Sequence, residues 1–167
     1  AFTQKILHIP YDLYRKMKAL SQQAGYDEFQ GLLPATREGN NFYLKDKFYF
    51  PKQTITSTTV RASHEAMNEI IEAREEEDLL RCWWHSHVDM GCTPSGQDKT
   101  DIANQRSEIF EYDDFRIMLI TNKRGDTYAE LHTADYWQTM TVVIDEENPF
   151  NEWAEDIILE YVIPAPV

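Results

Sequence analysis

The chain has 167 residues, 42% hydrophobic and 27% charged, which suits one packed domain and argues against a disordered segment. Its formal charge of −13 disfavours a broad nucleic-acid surface, and no apolar run reaches the ~20 residues of a membrane span. Cys82 and Cys92 are too few for a disulfide framework, and the start Ala1–Lys5 lacks the features of a signal peptide, so the expected setting is reducing and cytoplasmic.

In chain order, Lys5–Ile9 reads as a short strand. Pro10 then suits a first helical turn, and Leu13, Met17, Leu20 and Ala24 recur at helical spacing until Gly25. Gly31–Leu33 reads as a buried strand, Arg37–Asn41 as a polar turn, and Phe42–Phe50 as an alternating strand closed by Pro51. Thr58–Ala62 is rich in β-branched residues and is expected to be extended. Ser63 can cap a helix that runs through Met67, Ile70 and Ile71 to the acidic stretch Glu75–Asp78.

Leu79–His87 returns as a strand. After a loop, Ser95 or Thr100 can cap a helix carrying Ile102 and Ile109. Phe115–Thr121 and Thr127–Thr133 form a hairpin pattern, Trp137–Ile144 a further strand and Glu152–Tyr161 a last helix. Strands and helices mix without regular alternation, which predicts an α+β fold with a mixed β-sheet flanked by helices.

The chemistry concentrates in His85-Ser86-His87 and the following stretch to Asp98. Residues two apart on a strand point to one face, so both imidazoles can reach one ion. A short loop then leads to a helix start, from which Asp98 can swing back as a third ligand. Two histidines and one carboxylate leave a fourth tetrahedral position open to water, the arrangement of a catalytic zinc rather than a structural one. A His-x-His pair alone is a weak signal. Elsewhere, His8, His64 and His132 read as structural, and Trp83 and Trp84 alternate faces so that one is core and the other can line the site.

The full spacing is more specific: His85-Ser86-His87, seven residues, Ser95, two residues, Asp98. It resembles the signature of the JAMM (Jab/MPN metalloenzyme) family, and Glu28-Phe29-Gln30-Gly31-Leu32-Leu33 is similar to that family's upstream Glu-x-x-Gly-x-Leu pattern. Trp83 resembles the family at large, and Pro94-Ser95 its compact bacterial, archaeal and phage members. Val88 stands where many members have Pro and Cys82 where many have Gly, departures that bear on local backbone and not on the ligands.

The resemblance implies an MPN/JAB-like fold with a cytidine-deaminase-like core, a single domain over 1–167, and a C-terminal extension at 135–167. It implies Zn2+ held by His85, His87 and Asp98, with Glu28 as general base on the zinc-bound water and Ser95 donating to the oxyanion. The implied substrate is a conjugate of ubiquitin or a ubiquitin-like protein, cut after its C-terminal Gly-Gly with the tail extended beside an edge strand. The alternatives are an MPN-type scaffold, or subunit needing an activating partner, and a metallo-β-lactamase-like hydrolase. The latter motif expects His directly after Asp89, where this chain has Met90.

Overall fold

The computed structural model describes residues 3–55, 60–88, 91–103, 115–145 and 150–165. Ten strands and four helices are described: β1 (Ile6–Ile9), α1 (Tyr11–Ala24), β2 (Gln30–Leu33), β3 (Ala35–Glu38), β4 (Asn41–Leu44), β5 (Gln53–Ile55), β6 (Val60–Ala62), α2 (His64–Ala73), β7 (Cys82–Ser86), α3 (residues 96–103), β8 (Arg116–Thr121), β9 (Thr127–His132), β10 (Trp137–Ile144) and α4 (Asn151–Tyr161). Eight strands make one mixed sheet in the order β2-β7-β8-β9-β10-β1-β4-β3, and β5 and β6 pair separately. The expected α+β architecture is what forms. Among the described residues no helix is long and apolar enough to cross a membrane.

The run Ile117-Met118-Leu119-Ile120 shows why β8 lies near the middle of the sheet. Ile117 and Leu119 enter a core with Leu7, Ile9, Leu13, Met17, Phe42 and Trp84, beneath α1. Met118 and Ile120 enter a second core on the opposite face with Trp83, Ile70 of α2 and Ile102 of α3. A continuous apolar run is what a strand covered on both faces requires. Local signals end the helices: Gly25 stops α1 at φ 70°, and the Ser63 hydroxyl accepts from Ala66 N–H at 3.1 Å to start α2.

The turn expected at Arg37–Asn41 narrows to Gly39 and Asn40, because Arg37 and Glu38 pair in β3 with Phe42 and Asn41 of β4. Three further boundaries shift. The strand over Phe42–Phe50 ends at Leu44, because Lys45, Lys47 and Tyr49 all turn onto the buried Asp78, at 2.8, 2.7 and 2.6 Å. The two ammonium groups and the phenol hold the Asp78 carboxyl well below the usual carboxylate range. The alternation across Phe42–Phe50 therefore belonged to two short extended pieces joined by a turn, the second bridging β2 at Tyr49. Similarly, α2 stops at Ala73 instead of running to Asp78, and Arg74 Nη1 gathers the carbonyls of Glu75, Glu76 and Asp78. The strand over Leu79–His87 contracts to β7. Thr58 and Ile109, from the expected strand and helix, lie outside the described residues.

β10 lies inside the sheet, parallel to β1 and antiparallel to β9. Residues 137–144 are thus part of the main sheet, and α4 follows them.

Candidate metal centre

β7 carries His85 near its end, with His87 just beyond. Parallel pairing to β8 sets His85 beside Ile120, and the His87 N–H donates to the Thr121 carbonyl at 2.9 Å. On its other side β7 pairs antiparallel with β2, matching Gln30 to His85. The Ser86 N–H donates to the Phe29 carbonyl at 2.9 Å, so the register continues and sets Glu28 opposite His87. Sheet pairing thereby brings Glu28, 59 positions from His87 by difference of the two numbers, to the histidine pair.

Asp98 arrives from α3. The Ser95 hydroxyl accepts from Asp98 N–H at 3.1 Å, and Ser95 N–H donates to Asp98 Oδ2 at 2.8 Å. This reciprocal capping box fixes the helix start and the carboxylate together. Thr100, the other candidate cap, donates instead to the Gly96 carbonyl within the helix.

His85 Nε2 lies 3.1 Å from Asp98 Oδ1, His87 Nε2 lies 2.9 Å from Asp98 Oδ2, and the two Nε2 atoms are 3.0 Å apart. All three side chains are buried, and they form a group able to hold a metal ion. The hydrogen bonds around His87 support that fit. The Gly91 carbonyl, 3.1 Å from His87 Nδ1, can only accept, so Nδ1 carries a proton. In neutral His87 the Nε2 lone pair then faces the Asp98 oxygens, acceptor against acceptor, an arrangement that a cation between them satisfies.

Electrostatics favour the same occupant. Burial lowers the pKa of His85, keeping its ring neutral and able to ligate. Burial acts the same way on His87, but its bonds to Asp98 and the Gly91 carbonyl outweigh it and raise its pKa. Burial disfavours the Asp98 carboxylate, yet the two imidazoles and the Ser95 N–H hold its pKa well below the usual range. Glu28 goes the other way: burial, opposed by His87 and reinforced by Asp98, pushes its carboxyl up to about 7.

Trp83 stacks on His85, centroids 4.7 Å apart, and its Nε1–H donates to Gln30 Oε1 at 2.8 Å; both tryptophans are buried, Trp84 in the first core and Trp83 in the second, where it also backs the site. The hairpin between β8 and β9 braces the loop after His87. Lys123 N–H donates to the Val88 carbonyl at 2.8 Å, and Cys92 Sγ–H to the Asp126 carbonyl at 3.3 Å. Sequence reasoning missed the Gly91 carbonyl and this brace, since backbone groups leave no residue-type signal.

Val88, directly after His87, has φ 61°, the only positive φ outside glycine among the described residues. A β-branched residue there costs about 1–3 kcal/mol. Its buried side chain and the Lys123 bond hold it in place. Proline, fixed near φ −65°, cannot occupy this conformation. We expect Val88→Pro to lower both stability, by about 2–4 kcal/mol, and metal affinity. Val88→Gly relieves the strain but removes buried surface, and should leave affinity within about threefold. Thermal melts and zinc titrations of both variants check this; equal behaviour would show that the φ does not constrain the site.

Fold and site together define an α+β protein with a buried His-His-Asp group able to hold a metal ion. The chain is 32% identical over 97 residues to COP9 signalosome complex subunit 5 of Gibberella zeae, covering 54% of this chain and 28% of that protein. It is 30% identical over 109 residues to COP9 signalosome complex subunit 5a of Arabidopsis thaliana, covering 61% and 30% respectively. It is also 31% identical over 98 residues to subunit 5 of Caenorhabditis elegans, with 54% and 26% covered. These matches span less than a third of each relative's own length. No family model matches the chain. The fold is similar to the solution structure of protein DSY2949 from Desulfitobacterium hafniense, at TM-score 0.58 and 19% identity over 87% of this chain and 97% of that one.

Proposed function

We propose that this protein is a JAMM-type zinc-dependent isopeptidase or peptidase, cleaving after the C-terminal Gly-Gly of ubiquitin or a ubiquitin-like protein. The observation that carries the reading is the convergence of His85, His87 and Asp98 beside a buried Glu28 whose carboxyl is pushed up to about 7. The motif's likeness to JAMM enzymes and the similarity to COP9 signalosome subunit 5 proteins support it.

His85, His87 and Asp98 would hold the zinc. Bound there, zinc supplies Lewis acidity, polarising a carbonyl and making water acidic at neutral pH. A Glu28 carboxylate oxygen accepts a proton from the attacking water and returns it to the leaving amine; a pKa near the working pH suits both transfers. The Ser95 hydroxyl already accepts from Asp98 N–H, and its own proton remains available for the developing oxyanion.

Substrate placement follows from the strand edges. The outer edge of β2 is covered: Gln53 bonds the Gln30 N–H and carbonyl at 2.8 and 2.9 Å, and Tyr49 exchanges backbone bonds with Leu32. The two-stranded β5–β6 sheet has no further strand on either side among the described residues, and an extended Gly-Gly tail would add there. Cys82 and Cys92 are free thiols, which suits the cytoplasm.

The test is cleavage of a Gly-Gly-linked ubiquitin conjugate, isopeptide and linear, by the purified chain with one equivalent of zinc. Cleavage should stop with chelator and return with added zinc. A zinc-loaded chain inert towards every ubiquitin-like conjugate would move the reading to a scaffold.

A further inference from the structure

α2 and α3 cover only part of the sheet face that carries the metal centre. Pairing registers give that face across the strands: His85 on β7, Ile120 and Met118 on β8, Tyr128 and Glu130 on β9, Trp137 to Val143 at alternate positions on β10, Ile6 and His8 on β1, Tyr43 on β4. The β7–β9 portion packs under Ile70 and Ile102. Among the described residues the face beyond β9 is only lightly covered: Trp137, with Lys99 Nζ 5.6 Å from its ring centroid, is 48% exposed, Tyr43, stacked on His8, 39% and Val143 38%.

The same chain carries the opposite half of such a contact. α4 has an apolar stripe at helical spacing, Trp153, Ala154, Ile157, Ile158 and Tyr161, of which Trp153 is 64%, Ile158 58% and Tyr161 70% exposed. Ala154 and Ile157 are half-buried, and no other described element makes an extensive contact with the helix. An 11-residue helix is about 16 Å long, and the eight residues of β10 span about 26 Å, so the stripe fits the exposed face.

We infer that two copies of this chain associate with two-fold symmetry, α4 of each lying on the exposed β10-β1-β4 face of the other. One chain offers both surfaces, so a reciprocal exchange satisfies both at once and closes the assembly. The exposed parts of the six large side chains named, taken twice, come to on the order of 1,300 Å², within the range of specific interfaces. The large side chains brought together are apolar, beside the exposed Thr139 and Thr141 of β10, while α4 contributes Glu155, Asp156 and Glu160 and the chain carries −13 overall. Like-charge repulsion therefore opposes association, and salt should strengthen it.

The experiment is sedimentation equilibrium of the chain at about 50 mM and about 500 mM salt. Wild type should show a dimer that tightens with salt. Ile158→Asp on the helix and Val143→Lys on the sheet should each weaken it at least about tenfold, with unchanged far-UV circular dichroism. Three results would overturn the inference. One is a monomer at both salts, whether α4 amides are open to hydrogen exchange or protected by folding onto their own sheet. Another is a dimer lost with Ile158→Asp but untouched by Val143→Lys, which means helix pairs with helix. The third is a dimer indifferent to both substitutions.

Discussion

Replacing Asp98 with alanine is expected to reduce bound zinc from about one equivalent per chain to none detectable, by elemental analysis after dialysis. Asp98 is the only carboxylate of the group, and its two oxygens reach both Nε2 atoms at 3.1 and 2.9 Å. Without it, two imidazoles remain as ligands in a buried site, and neither carries a negative charge to offset a divalent cation. The substitution also breaks the capping box with Ser95, which costs about 1 kcal/mol. Asp98→Asn separates the effects: its amide oxygen can still accept from Ser95 N–H, so stability falls less while zinc is still lost. Zinc in excess should raise the melting temperature of the wild type and of neither variant, since a ligand at 1,000 times its Kd adds about 4 kcal/mol. Binding should weaken as pH falls. Protons compete for His87, whose pKa is raised, and ligation requires its neutral ring.

Legibility of this site followed from how short-range its determinants are. His85 and His87 were readable because a strand's period of two is a local rule. Ser95 and Asp98 were readable because a helix start three residues ahead of an acid is another. Glu28 was different: an isolated acid before a short strand carries no physical signal of its own, and only the resemblance selected it. Its place opposite His87 comes from β2–β7 pairing, a contact between distant segments. The break after Leu44 was hidden for the same reason, because it depends on Asp78, 34 residues later by the numbering. β3 and β5, of four and three residues, are too short for periodicity to register. Val88 could be read as a departure from the family pattern, but its positive φ runs against β-branched preference and no propensity argument would have found it.

Glu28→Gln should lower hydrolysis by about 10²–10⁴-fold while leaving zinc content unchanged. The amide keeps the shape of the side chain and cannot hold the transferred proton, and Glu28 is outside the His85, His87, Asp98 group. In metal-free protein the same substitution should raise stability above neutral pH. Burial is the main cause that lifts the Glu28 carboxyl from 4.5 to about 7, so the folded state binds its proton more tightly than the unfolded chain does. A raised carboxyl contributes most below the unfolded pKa, and that contribution fades as pH climbs through the folded one. Wild type should thus lose stability relative to Glu28→Gln between about pH 4.5 and 7, then run parallel to it, the gap being on the order of 2 kcal/mol after allowance for partial solvation. Asp98 titrates in the opposite direction and is common to both proteins, so the difference between their urea midpoints isolates Glu28. A variant both inactive and more stable when metal-free would mark Glu28 as a group held against its own solvation for the chemistry. Equal stabilities across the pH range would mean that the carboxyl is solvated in the metal-free protein, and a variant as active as wild type would remove it from the reaction.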